Sequence, residues 1–109
     1  MAENLATQSR VAAAMGDGTR LRLLKILWNR GETCVCELVE ELRGQNVRMT
    51  QSNLSFHLNT LKHAGLVADR KIGKWVFYTV SHEAVDAFLD GMRQLFRLEE
   101  KSAAPCCDS

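Results

Sequence analysis

The sequence predicts a mainly α-helical domain carrying one small β-hairpin, and three observations lead there. Apolar residues recur at helical spacing in five stretches, each opened or closed by a Gly, Asp, Thr or Ser. The spacing changes once, between Leu66 and Val80, to two runs rich in β-branched and aromatic residues around Gly73. At 109 residues and 46% hydrophobic content, the chain suits one small core, with no repeat, linker or second domain.

Asn4 to Met15 is alanine-rich, lacks proline and reads as the first helix. Gly16-Asp17-Gly18 breaks it, and Asp17 is placed to cap a second helix reaching about Asn29. Leu21, Leu24, Ile26 and Leu27 are its expected buried side, with Gly31 just past its end. Thr33 is the expected cap of a third helix, Cys34 to Leu42, burying Val35, Leu38 and Leu42 before Gly44 stops it. Thr50 caps a fourth, Gln51 to Ala64, ended by Gly65. Leu66–Lys71 and Trp75–Val80 form the hairpin. Ser81 then caps a last helix with Val85, Phe88, Leu89, Met92, Leu95 and Phe96 on one stripe. Residues 1–100 thus make the domain, and 101–109 a flexible tail holding Cys106 and Cys107.

Composition excludes several classes. No run approaches the ~18 apolar residues of a membrane span, and Met1-Ala2-Glu3-Asn4 lacks a signal-peptide pattern, so a cytoplasmic protein is expected. In that reducing compartment four cysteines point to ligands or redox groups rather than structural disulfides. The net charge is only +1, but it is unevenly spread. Arg43 to Tyr78 holds six cations (Arg43, Arg48, Lys62, Arg70, Lys71, Lys74) against the single acid Asp69, between acidic flanks. A basic middle of this kind is the footprint of a nucleic-acid partner.

Helix, short connection, helix and basic hairpin make the winged helix-turn-helix plan. With about 100° between successive residues, Leu54, Leu58 and Leu61 of the fourth helix share one sector and face the core. Ser52, Phe56, Asn59 and His63 fall opposite, flanked by Gln51, Ser55 and Lys62. Recognition helices present their N-terminal end to the major groove, where small polar groups meet base edges. Gln51, Ser52, Asn53, Ser55, Phe56 and Asn59 are therefore the candidate DNA-reading residues. Gln51 suits a bidentate contact to adenine, and Phe56 a thymine methyl or a neighbouring side chain. Arg70, Lys71 and Lys74 in the hairpin are placed to neutralise phosphates. His57 and His63 read as surface or boundary histidines.

Ala12 to Leu27 (AAAMGDGTRLRLLKIL), Glu32 to Leu42 (ETCVCELVEEL) and Gln51 to Val67 (QSNLSFHLNTLKHAGLV), followed by a Gly-containing wing, resemble the ArsR/SmtB family of metal-responsive repressors. The resemblance spans about residues 5–98. It implies a homodimer built from the first and last helices, a two-fold symmetric DNA operator, and an inducer that lowers DNA affinity. The expected dimer contact includes Leu5, Phe88, Met92 and Leu95.

Cys34 and Cys36 carry the specific part of the likeness, shared with the arsenite and cadmium/lead branches. Paired thiolates are soft ligands, and a helix N-terminus favours their charged form. On a regular helix residues i and i+2 lie about 200° apart, so ligation of one ion by both is expected to unwind or re-orient the first turn. The arsenite pattern resembles C-V-C-x-x-C, and its third cysteine position is Val39 here. Arsenite (As(III)) or antimonite (Sb(III)), which favour three sulfurs, then need Cys106 or Cys107. Both tail thiols together would make a four-sulfur site for Cd(II) or Pb(II), and neither would leave a two-sulfur site for methylarsenite. The zinc branch's site on the last helix lacks its motif, and His82, Glu83, Asp86 and Asp90 are assigned to solvent and capping. Two other functions compete: a thiol redox sensor on the same DNA unit, and a thiol-rich metal carrier without DNA function. No enzyme constellation is evident, since Cys-x-Cys is not the Cys-x-x-Cys redox motif, and no organic cofactor is implied.

Overall fold

The computed structural model describes residues 2–101. Its elements run α1 Ala2–Met15, α2 Gly18–Arg30, β1 Thr33–Cys34, α3 Val35–Gly44, α4 Gln51–His63, β2 Val67–Ile72, β3 Trp75–Val80 and α5 His82–Lys101. The mainly helical winged helix-turn-helix plan is borne out, with one addition: the sheet is three-stranded, in order β1-β3-β2, all antiparallel.

Local chemistry accounts for most boundaries. The Asp17 carboxylate accepts hydrogen bonds from the backbone N–H groups of Thr19 (3.0 Å) and Arg20 (3.2 Å), satisfying two orphan donors of α2. Thr50 Oγ1 accepts from Asn53 N (3.1 Å) and Ser81 Oγ from Ala84 N (3.1 Å), so α4 and α5 begin on side-chain caps. The β2–β3 hairpin closes on Gly73-Lys74, with Ile72 opposite Trp75. Gly73 at φ 62° supplies the left-handed first turn position that lets the two strands keep their twist.

The core lies where α2, α3 and α4 meet the inner face of the sheet. Leu23, Leu27, Leu38, Leu42, Leu54, Leu58, Leu61 and Leu66 are fully buried, joined by Val67, Tyr78 and Val80. The three leucines of α4 thus anchor its inner side, and its polar residues point outward, as the wheel requires. Each fully buried leucine stabilises the domain by about 1.5–3 kcal/mol.

Two expectations need correction. Leu21 is 53% exposed and Leu23 takes its place inside, because α2 is wedged between α1, α3 and α4 and buries the side carrying Leu23, Leu24, Ile26 and Leu27. Thr33 does not cap α3. It is buried in β1, pairs with Tyr78 and donates from Oγ1 to the Gly31 carbonyl (2.8 Å), and Cys34 becomes the cap.

Candidate functional site

The outer face of α4 presents Gln51, Ser52, Asn53, Ser55, Phe56 and Asn59, all exposed. Phe56, 64% exposed, packs edge-on against His57 with ring centroids 5.6 Å apart. His57 links this helix to the α1–α2 junction through Arg20. Arg20 donates from Nε to the Ala14 carbonyl (2.6 Å) and from Nη1 to His57 Nδ1 (2.9 Å). A guanidinium only donates, so His57 accepts at Nδ1 and carries its proton at Nε2. Arg20 therefore clamps the α1–α2 joint to the recognition helix, a role that nothing in the local sequence around His57 announces.

The wing brings Arg70, Lys71 and Lys74 to one hairpin, but not in one state. Lys71 and Lys74 are exposed and have no ion-pair partner among the described residues, and Lys74 Nζ lies 5.6 Å from the Trp75 ring. Arg70 instead grips Glu32 with both Nε and Nη2, the second bond 2.9 Å long. That bond, with the attraction behind it, holds the Glu32 carboxyl below its usual range. Lys62, expected beside the reading face, pairs with Asp69 of β2 at 3.1 Å and so ties α4 to the wing. Burial, followed by the Asp69 charge, pushes the neighbouring Tyr78 phenol up.

Cys34 and Cys36 meet, because Cys34 precedes the helix and does not belong to its first turn. Cys34 sits outside the helix in extended backbone (φ −76°, ψ 150°), so its side chain folds over the first turn. The two sulfurs are 2.7 Å apart with the helix intact. The 200° separation applies only when both residues are helical, and Cys34 is not. Glu37 Oε1 accepts from the Cys34 N–H (3.1 Å), reinforcing this cap. The hydrogen bond from Cys36 and the backbone N–H groups of Cys36 and Glu37 draw the Cys34 thiol below its ordinary range. The same partnership pushes the Cys36 thiol up.

Cys34 is nearly buried, at 6%, while Cys36 is exposed and opens onto a hollow of about 390 Å³ lined also by Arg30, Glu37, Glu40 and Glu41. A soft ion fits this donor set. Two sulfurs at ~2.3 Å from an ion and at a tetrahedral angle lie about 3.8 Å apart. Cys106 and Cys107 lie outside the described residues, and Val39 is half-buried with no donor atom to offer. Among the described residues no three His, Cys, Asp or Glu side chains gather into a metal site. On α5, His82 packs edge-on against Trp28 (centroids 4.0 Å apart) and Asp90 pairs with Arg93 (2.7 Å).

The expected dimer residues lie along α1 and α5. Leu5 is 53% exposed, Met92 and Leu95 are half-buried, and Phe88 packs against the edge of the core while its carbonyl accepts from Gln8 Nε2 (2.9 Å). Leu89 and Phe96 on the same helix are exposed.

A helix of outward polar side chains, a basic hairpin beside it and a core that supports both define a winged-helix DNA-binding transcriptional regulator. Regulators of this fold bind DNA and are not enzymes. Residues 17–69 match the family model for bacterial regulatory proteins of the arsR family. An uncharacterized HTH-type transcriptional regulator of Methanocaldococcus jannaschii is 42% identical over 77 residues, covering 71% of this chain and 81% of that one. The arsenical resistance operon repressor of Bacillus subtilis is 36% identical over 95 residues, covering 86% and 84% respectively. Among solved structures, HlyU from Vibrio cholerae superposes with a TM-score of 0.70 at 35% identity, over 88% of this chain and 98% of its own. The chain belongs to the arsR family of bacterial regulatory proteins. Among the described residues no helix is long and apolar enough to cross a membrane.

Proposed function

We propose that this regulator is a cytoplasmic, homodimeric repressor released from its operator by a thiophilic metalloid, trivalent arsenic or antimony, held by Cys34 and Cys36. The observation that carries this is the pair of sulfurs 2.7 Å apart at the mouth of α3, one buried and one open to a hollow. Ligation takes both sulfurs as thiolates and releases their protons. A third sulfur comes from Cys106 or Cys107, reached by the tail at an entropic cost that grows only logarithmically with loop length. DNA is read by Gln51, Ser52, Asn53, Ser55, Phe56 and Asn59, with Lys71 and Lys74 on phosphates. Leu5, Phe88, Met92 and Leu95 join the two copies. The likeness to a repressor of arsenical resistance supports the choice of inducer.

Ultraviolet titration tests the site directly. Arsenite added to the reduced full chain should produce arsenic–thiolate absorbance that saturates at one equivalent per chain and disappears in Cys34→Ser. A chain that shows none would refute the inducer. The close sulfurs also favour a second reading, oxidation of the pair as a redox switch. Operator release by peroxide in the absence of arsenite, reversed by dithiothreitol, would select that reading.

A further inference from the structure

Strand β1 is two residues long, yet it joins the thiol centre to the wing. Cys34 lies opposite Phe77 of β3, and Phe77 lies opposite Arg70 of β2. Directly opposed residues share a face of a sheet, so Cys34, Phe77 and Arg70 form one row across it. The row is closed by a side chain: the Arg70 guanidinium reaches back to Glu32, two residues before Cys34, in a two-bond pair. Two connections therefore run from Cys34 to the same arginine, one through the β1–β3 ladder and one through Glu32.

We infer that Glu32 is a positioning residue for Arg70, and that this pair carries ligation at Cys34 to the phosphate contacts of the wing. The inference rests on the proposed reading of a thiolate inducer site on a DNA-binding regulator. Cys34 is at once a ladder residue and the helix cap, so a shift of it on ligation would be felt in both elements. Glu32 follows through two peptide units, and Phe77 through the ladder. Arg70 has five N–H donors and spends two on Glu32, so the carboxylate aims the remainder without consuming them. An exposed pair of this kind adds little to stability, but its planar two-bond geometry sets where the charge sits. Lys71 and Lys74, with no such tether among the described residues, supply phosphate attraction that ligation leaves alone.

The test uses the full chain, a fluorescent operator duplex and arsenite as the probe. Arsenic–thiolate absorbance is measured first and should be the same in Glu32→Gln as in the native chain, because the sulfurs are untouched. The ratio of operator Kd with saturating arsenite to Kd without it is measured next. It should fall about fivefold or more in Glu32→Gln, within the span of ordinary coupling energies. Arg70→Ala should lower the ratio equally, and the double variant no further. An unchanged ratio in Glu32→Gln, with arsenite binding intact, overturns the inference and leaves the proposed function standing. Arsenite that neither binds nor releases the native chain overturns the proposed function and this inference with it.

Discussion

At the scale of single residues, the chemistry concentrates in Cys34 and Cys36, which do unequal work. Cys34 is nearly buried, caps α3 and holds the more acidic thiol, while Cys36 is exposed and less acidic. Replacing either by serine should leave operator affinity within about twofold, because neither is among the residues proposed to contact DNA. Response to arsenite should be lost in both, since each removes one ligand; anisotropy of a labelled operator at rising arsenite reads both quantities. The motif itself was legible in the sequence. Its geometry was not, because the helix wheel presumes that both residues are helical, and a two-residue strand is too short to show the alternation that would have exposed Cys34 as extended. The Glu32–Arg70 and Arg20–His57 contacts were equally hidden, joining positions 38 and 37 residues apart with no local signal.

At the scale of elements, the proposed function divides DNA binding between α4 and the wing. Gln51→Ala or Ser55→Ala should relax base preference, whereas Lys71→Ala and Lys74→Ala should weaken binding alike on all sequences. Each lysine removed should lower the slope of log affinity against log salt by about one; operator titrations at several salt concentrations check this. A lysine variant with an unchanged slope would remove that residue from the phosphate contacts. The caps bear on stability instead. Asp17→Ala should cost about 1 kcal/mol at neutral pH. The hydrogen bond from the Arg20 N–H holds the folded-state pKa of Asp17 below its ordinary 3.8. Its contribution is therefore present above that value and fades as pH falls through and below it. Urea denaturation at pH 7 and pH 3 should show the difference between variant and native shrinking in acid. Most element boundaries could be read from the sequence because Asp17, Thr50, Ser81 and Gly73 act on their immediate neighbours. Leu21 was misplaced because which side of α2 faces inward depends on α1, α3 and α4 together.

At the scale of the molecule, the exposed apolar residues of α1 and α5 are the surface on which the proposed dimer would form. A chain of 109 residues that leaves Leu5, Leu89 and Phe96 open to water gains by covering them. Met92→Glu with Leu95→Glu should give monomers that bind the operator weakly; sedimentation showing an unchanged dimer would place the interface elsewhere. Cys106 and Cys107 lie outside the described residues.

The most direct measurement is operator release by arsenite, followed by anisotropy with the reduced full chain and with a chain truncated after Ala104. Release of the full chain at stoichiometric arsenite, with a response at least tenfold weaker after truncation, is the predicted result. An operator that stays bound to the full chain in large arsenite excess would contradict the account.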